Sequence, residues 1–220
     1  MSQTNAVEKQ KASDQHIVIS APNFKYAEFQ IVGTAPLVIN RFSVKAGEQM
    51  ARKQAEGKPA GNKKNRVAKD FDQIYKDAMY ISKDGWYGIS ASAFRCAAIS
   101  ACRVSGFMMT KAKLTFHVVE NGFDKDDQTG LVKITKGKPE MRMDHVRLET
   151  GVADIRSRPM WAPGWEAKVT IRWDADQFTL EDVTNLMMRV GMQVGIGEGR
   201  PDSKKSAGMG WGLFELKGNK

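Results

Sequence analysis

Cysteine is nearly absent from this sequence. Cys96 and Cys102 are the only two in 220 residues. That excludes a disulfide scaffold and a cysteine-rich metal site. Histidine is almost as scarce: His16, His117 and His145 are the full set, and none stands at metal-ligand spacing from another His or Cys. No apolar run approaches the roughly 20 residues that a membrane helix requires. Residues 1–14 are polar and show no apolar run with a cleavage site, so no secretory signal is expected. Acid is also in deficit, with 25 Asp and Glu against 34 Lys and Arg, a net charge of +9. The hydrophobic share, 41%, supports one good core in a chain of this length. The expectation is a basic, cytoplasmic, single-domain protein. Its surface suits polyanions, usually nucleic acid, and it has no membrane, metal or cofactor partner.

The excess charge is concentrated. Residues 45–69 hold eight cations and two acids, six of the nine net charges. Glycine, proline and a lack of large apolar side chains at the centre of this window predict a basic loop insertion with no core of its own. A solvated loop without a partner would have the same composition. Residues 1–22 read as a polar tail or arm, and 23–220 as one domain.

Phe24 to Val32 reads as a strand, interrupted at Thr34-Ala35-Pro36 and continued by Leu37-Val38-Ile39. Val44 to Ala55 and Val67 to Tyr80 read as short helices. Lys83-Asp84-Gly85 signals a hairpin turn. Ser90 and Ser92 precede a run of helix formers in which Ala91, Phe94, Ala98 and Ala101 share a face. Lys111 to Glu120 alternates as a strand. Met141 to Arg158 reads as an exposed arm, and Glu166 to Trp173 as a half-buried strand. Thr179-Leu180-Glu181-Asp182 opens a helix in capping-box fashion, with Val183, Leu186, Met187, Val190 and Val194 as its apolar stripe. Residues 211–216 form a last short strand. The order of elements predicts an α+β protein, a ferredoxin-like (RRM-like) antiparallel sheet with helices on one face.

Between that last helix and strand lie Gly195, Gly197, Gly199, Gly208, Gly210 and Gly212, flanking a basic tip with Arg200, Lys204 and Lys205. Glycine permits close backbone approach, here to a phosphate chain. The same glycines would serve a turn required only by packing. The Gly-Lys-Ser/Thr of a Walker loop and the strand–loop–helix spacing of a dinucleotide fingerprint are both missing.

This glycine-rich loop resembles the hallmark of the RAMP superfamily, ferredoxin-like RNA-binding proteins that build CRISPR effector complexes. Three further segments resemble the backbone subunits that polymerise along guide RNA. Gly88 to Arg95 is similar to the family's strand-to-helix element. Arg147-Leu148-Glu149-Thr150-Gly151-Val152-Ala153 is similar to the start of its protruding thumb, here 141–165. Trp161-Ala162-Pro163-Gly164-Trp165-Glu166 is similar to the return from it. The likeness spans roughly Phe24 to Leu216. The 41–70 insertion has no counterpart in it. Asp70 and Asp72 lie nearest to the aspartate of the family's cutting members, but they fall in a helical pattern and take no catalytic role.

The resemblance implies a non-enzymatic subunit that coats single-stranded nucleic acid, RNA more than DNA. It would self-associate along the strand into a helical assembly, with other effector-complex subunits as further partners. Arg41 and Lys45 after the first strand, Lys63, Lys64 and Arg66 in the basic loop, and Ser90, Ser92 and Arg95 at the helix start are the expected contacts. Arg156, Arg158, Met160 and Trp161 would form a thumb tip that separates bases. Arg200, Lys204 and Lys205 would crown the glycine loop. Trp165 and Trp173 read as core. Cys96 and Cys102 read as small packing residues. Three alternatives stand beside this. One is a phage or mobile-element single-stranded DNA-binding protein of the same fold. The second is a metal-independent ribonuclease using His16, His117 or His145. The third is an assembly protein whose basic surface meets only proteins.

Overall fold

The computed structural model describes residues 20–42, 47–48, 51–52, 55, 69–147, 151–203 and 208–218. The chain is α+β, with antiparallel sheets. Its strands are β1 (Phe24–Gly33), β2 (Leu37–Val38), β3 (Tyr80–Ile81), β4 (Tyr87–Ser90), β5 (Phe116–Val119) and β6 (Gly122–Phe123). They continue with β7 (Gly130–Lys136), β8 (Pro139–Arg147), β9 (Ala153–Trp161), β10 (Glu166–Asp174) and β11 (Phe214–Leu216). Helices whose bounds lie wholly among the described residues are α1 (Phe71–Asp77), α2 (Ala91–Ala101), α3 (Met109–Thr115) and α4 (Leu180–Arg189), the last continuing into a π-helical turn, Val190–Val194. Among the described residues, no helix is long and apolar enough to cross a membrane.

The larger sheet runs β11-β1-β10-β7-β4-β3. β5 also pairs with β10, and β6 with β7. β1 and β10 form its centre, nine antiparallel pairs from Phe24–Asp174 to Val32–Glu166. Alternation along β10 sends Ala167, Val169, Ile171 and Trp173 into the core and leaves Lys168 outside. That inner face meets Phe94, Ala98 and Ala101 of α2 and Val183, Leu186 and Met187 of α4, all in one buried cluster. Small residues on α2 allow the close approach. The Thr179 hydroxyl accepts from the Asp182 amide while the Asp182 carboxylate accepts from the Thr179 amide, so the capping box forms as its spacing predicts.

Two expectations are corrected. Leu37 and Val38 do not continue the first strand in its sheet. They cross into a second, three-stranded sheet, β2-β9-β8, pairing with Trp161 and Met160. The segment from Lys111 is not a strand throughout. Met109–Thr115 is helical, Leu114 is exposed, and only Phe116–Val119 is extended. The period-two pattern there was short, and a strand and one helical turn share it. The arm is an ordered hairpin, β8 with β9, joined by nine residue pairs. It is braced by α1, where the Tyr75 hydroxyl donates to the Pro139 carbonyl at 3.0 Å. Asp70 caps α1 by accepting from the Gln73 amide.

Thr179→Ala removes one half of the capping box. It is expected to lower global stability by about 1 kcal/mol, read as a fall in urea midpoint at unchanged slope.

Candidate nucleic-acid interface

A groove of about 740 Å³ runs along the outer side of α2. Ser92, Cys96, Ser100 and Arg103 recur there at helical spacing, opposite the buried Ala and Phe stripe. One wall is Ile39 and Asn40 after β2. The other is the first limb of the glycine loop, Ile196 to Ser203. Met109 and Lys113 of α3 border one end. The lining combines four isoleucines, Ile39, Ile89, Ile99 and Ile196, with the cations Arg103, Lys113 and Arg200 and the acids Glu198 and Asp202.

The N-terminus of α2 opens on this groove. Ser90 is its N-cap, yet its side chain makes no capping hydrogen bond. The Ser90 and Ser92 hydroxyls lie 2.7 Å apart instead. First-turn amides without a side-chain cap, with two hydroxyls beside them, favour an anion.

The glycine loop is held mainly by its own chain. All six of its glycines have φ between +67° and +74°. A Cβ on Gly197 would stand 2.5 Å from the Val38 carbonyl, and one on Gly212 would overlap the Ile196 carbonyl. The space beside Gly195, Gly199 and Gly208 is likewise taken by Trp211, Pro201 and Arg200. The expected backbone approach at these positions is therefore to neighbouring protein, the packing role weighed against ligand binding above. A Cβ on Gly210 would meet nothing, so backbone approach from outside is open there. The loop is tied to β2 by Glu198 N–H to Val38 O, 2.9 Å, and to the residue before it by Gly212 N–H to Pro36 O, 2.7 Å.

Ser90, Ser92, Gly197 and Arg200 line this one groove. Arg200 donates to the Gly197 carbonyl at 2.9 Å and spans the loop it sits on. Lys45, Lys63, Lys64, Arg66, Lys204 and Lys205 lie outside the described residues. Four expected contacts are engaged elsewhere. Arg41 is buried, with Asp124 at 2.7 Å, Asp126 at 3.0 Å and Asp127 at 3.2 Å. Burial opposes ionisation of Asp127, but hydrogen bonds from Thr129 and the Arg41 charge hold its carboxyl below the usual range. Arg95 on α2 donates to the Phe116 and Lys113 carbonyls and pins α2 to the junction of α3 and β5. Arg158 is buried against Asp144 at 3.1 Å and Glu198 at 3.4 Å. Trp161 is fully buried and edge-on to Tyr87, ring centroids 6.0 Å apart. It pairs with both Leu37 and Pro139, at the root of the hairpin rather than its tip. It cannot separate bases. Met160 is half-buried with its Sδ 3.7 Å from Arg142, and only Arg156 of this group is exposed on the hairpin.

Sequence reading missed Arg103, Lys113, Asn40, Ser100 and Asp202. Asp202 bridges the loop to α2, accepting from Ser100 and pairing with Arg103 at 2.5 Å. Burial works against its ionisation. Hydrogen bonds from Ser100 and Arg103 and the charges of Arg103 and Arg200 still hold its carboxyl below the usual range. The small polar stripe on α2 was a usable signal, because its spacing matches that of the buried stripe. Cys96 belongs to this exposed stripe and is not a packing residue, whereas Cys102 is buried as expected. His117 on β5 and His145 on β8 do not line the groove, and His16 lies outside the described residues. Among the described residues no group of His, Cys, Asp or Glu is arranged to hold a metal ion. No protein-family model matches this sequence, and no curated protein matches it.

Arg41→Ala would leave Asp124 buried without its counter-ion. A loss of about 3–5 kcal/mol in unfolding free energy is expected, read as a fall in urea midpoint. Because the Asp202 carboxyl is depressed in the fold, its contribution is complete above the unfolded value near about 3.9 and lost as pH falls through the folded value. The stability gap between wild type and Asp202→Asn should therefore stay constant from neutral pH to about pH 5 and close at lower pH.

Proposed function

We propose that this chain is a non-enzymatic, RAMP-like subunit that binds single-stranded nucleic acid, RNA in preference to DNA, in the groove along α2. It self-associates along the strand, as the family likeness implies. The observation that carries the reading is the groove itself. An uncapped helix N-terminus, two serine hydroxyls and three cations lie beside an apolar floor. Phosphates take the first set, and bases take the floor. A ferredoxin-like core is supported by strand order. In the run β11-β1-β10-β5 every neighbour is antiparallel, α2 lies between β1 and β5 in the chain, and α4 lies between β10 and β11. The preference for RNA rests on the resemblance, since a phosphate groove and a stacking floor accept either strand.

Cys96 is a native reporter, because it lines the groove while burial shields Cys102 and pushes its thiol pKa up. Nuclease-treated protein would be alkylated with a maleimide alone, with single-stranded RNA and with single-stranded DNA. Protection of Cys96 that fades steeply with salt is expected, stronger with RNA, because phosphate contacts release counterions. Equal alkylation at saturating RNA and DNA, or salt-independent binding, would sink the reading. Protection by DNA alone would favour the replication or recombination alternative.

A further inference from the structure

Between Asp84 and Glu120 the chain has no acidic residue but carries Arg95, Arg103, Lys111 and Lys113. Lys111 and Lys113 form no ion pair among the described residues. Beside them Val104, Met108 and Leu114 are 59%, 57% and 84% exposed, an apolar surface with a cationic surround. The opposite composition occurs in 173–188, which holds no Lys or Arg and carries Asp174, Asp176, Glu181 and Asp182. Leu180, in its middle, is 55% exposed.

The fold places these two stretches side by side. Phe107 and Phe178 pack across the boundary, ring centroids 4.6 Å apart and planes tilted by 44°. Phe116, which ends α3, is the strand partner of Trp173, which precedes Asp174. A basic apolar lobe and an acidic apolar lobe therefore adjoin at one end of the large sheet. Large apolar side chains left this open are expected at contact surfaces.

We propose that this end of the molecule is a two-fold self-association surface, the basic lobe of one copy seated on the acidic lobe of another. Adjacency decides the symmetry. When complementary patches sit at opposite ends of a protein, copies stack head to tail. When they are neighbours, rotation about an axis through their boundary satisfies both at once. It also decides the class of partner, because the carboxylates beside the basic lobe repel a polyanion, whereas a second copy supplies both signs. The groove wall along α2 and the arm stay free for nucleic acid and for growth along it, and the inference does not rest on nucleic-acid binding.

The test is sedimentation equilibrium of the full chain, treated with nuclease and freed of nucleic acid, from micromolar to hundreds of micromolar. A dimer is expected, weakened by salt. Leu114→Asp, at an exposed position that burial does not constrain, should weaken it by at least about tenfold. Lys111→Glu and Glu181→Lys should each weaken it, since each sets like charges against one another. The double variant should recover much of the loss, because every copy then carries both reversals. A monomer throughout the range would overturn the proposal. So would a dimer that Leu114→Asp and Lys111→Glu leave unchanged, or a double variant weaker than either single one. Circular dichroism of each variant separates loss of contact from loss of fold. Cys96 protection by RNA is measured separately, so either reading can fail alone.

Discussion

The backbone between Gly33 and Arg41 must satisfy its buried N–H and C=O groups as it leaves one sheet and enters another, and much of the molecule is arranged around that need. Gly33 donates to the Trp165 carbonyl at 2.8 Å and accepts from Gly164 at 2.8 Å. The Trp165 indole N–H donates to the Ala35 carbonyl at 3.0 Å. Thr34 donates to Leu213, Pro36 accepts from Gly212, Val38 accepts from Glu198, and Ile39 and Arg41 donate to Pro159 and Ala78. Nine residues thus touch the hairpin root, both limbs of the glycine loop and the turn before β3. Gly33 is obligatory in this crossing, because the Trp165 ring occupies the place a Cβ would take.

The groove is a consequence of that crossing. Ile39 and Asn40 form its wall because β2 ends there, and the glycine loop reaches the opposite wall because its amides are claimed by β2. Buried charge secures the corner. Arg41 joins the chain beyond β2 to the β6–β7 turn, where Asp124 also accepts from the Ile81, Asp126 and Asp127 amides. A second guanidinium, Arg158, joins the hairpin to Glu198 on the loop, and Arg142 lies over the Trp211 ring at 4.5 Å. Arginines that look like nucleic-acid contacts in a basic sequence here align the walls of the groove. Cations at its rim, Lys113 and Arg200, hold their charge nearer to solvent.

Opposite charges also meet at the far end of the sheet, though there they adjoin without pairing. Lys111 and Glu181 belong to lobes brought together by the β5–β10 pairing and the Phe107–Phe178 contact. The groove and this end adjoin on α3, where Lys113 borders both.

Periodicity and end signals by themselves determined the local elements. The β10 alternation, the small-residue face of α2, the hairpin turn at Lys83-Asp84-Gly85 and the Thr179 capping box all appear where the residues predict. These depend on contacts within a few residues, which the order of side chains encodes directly. Part of the groove was legible for the same reason: Ser90 and Ser92 begin a helix, and Arg200 sits on a loop beside it. What tertiary structure decided was the identity of neighbours distant in the chain. Arg41 found Asp124, Arg158 found Asp144 and Glu198, and Trp161 found Tyr87, so three expected contacts became buried supports. Arg103 and Lys113 became groove residues only when α3 folded against α2. A side chain's charge or ring can be read from one position, but whether it meets solvent or a counter-ion depends on a partner whose place only the folded chain sets.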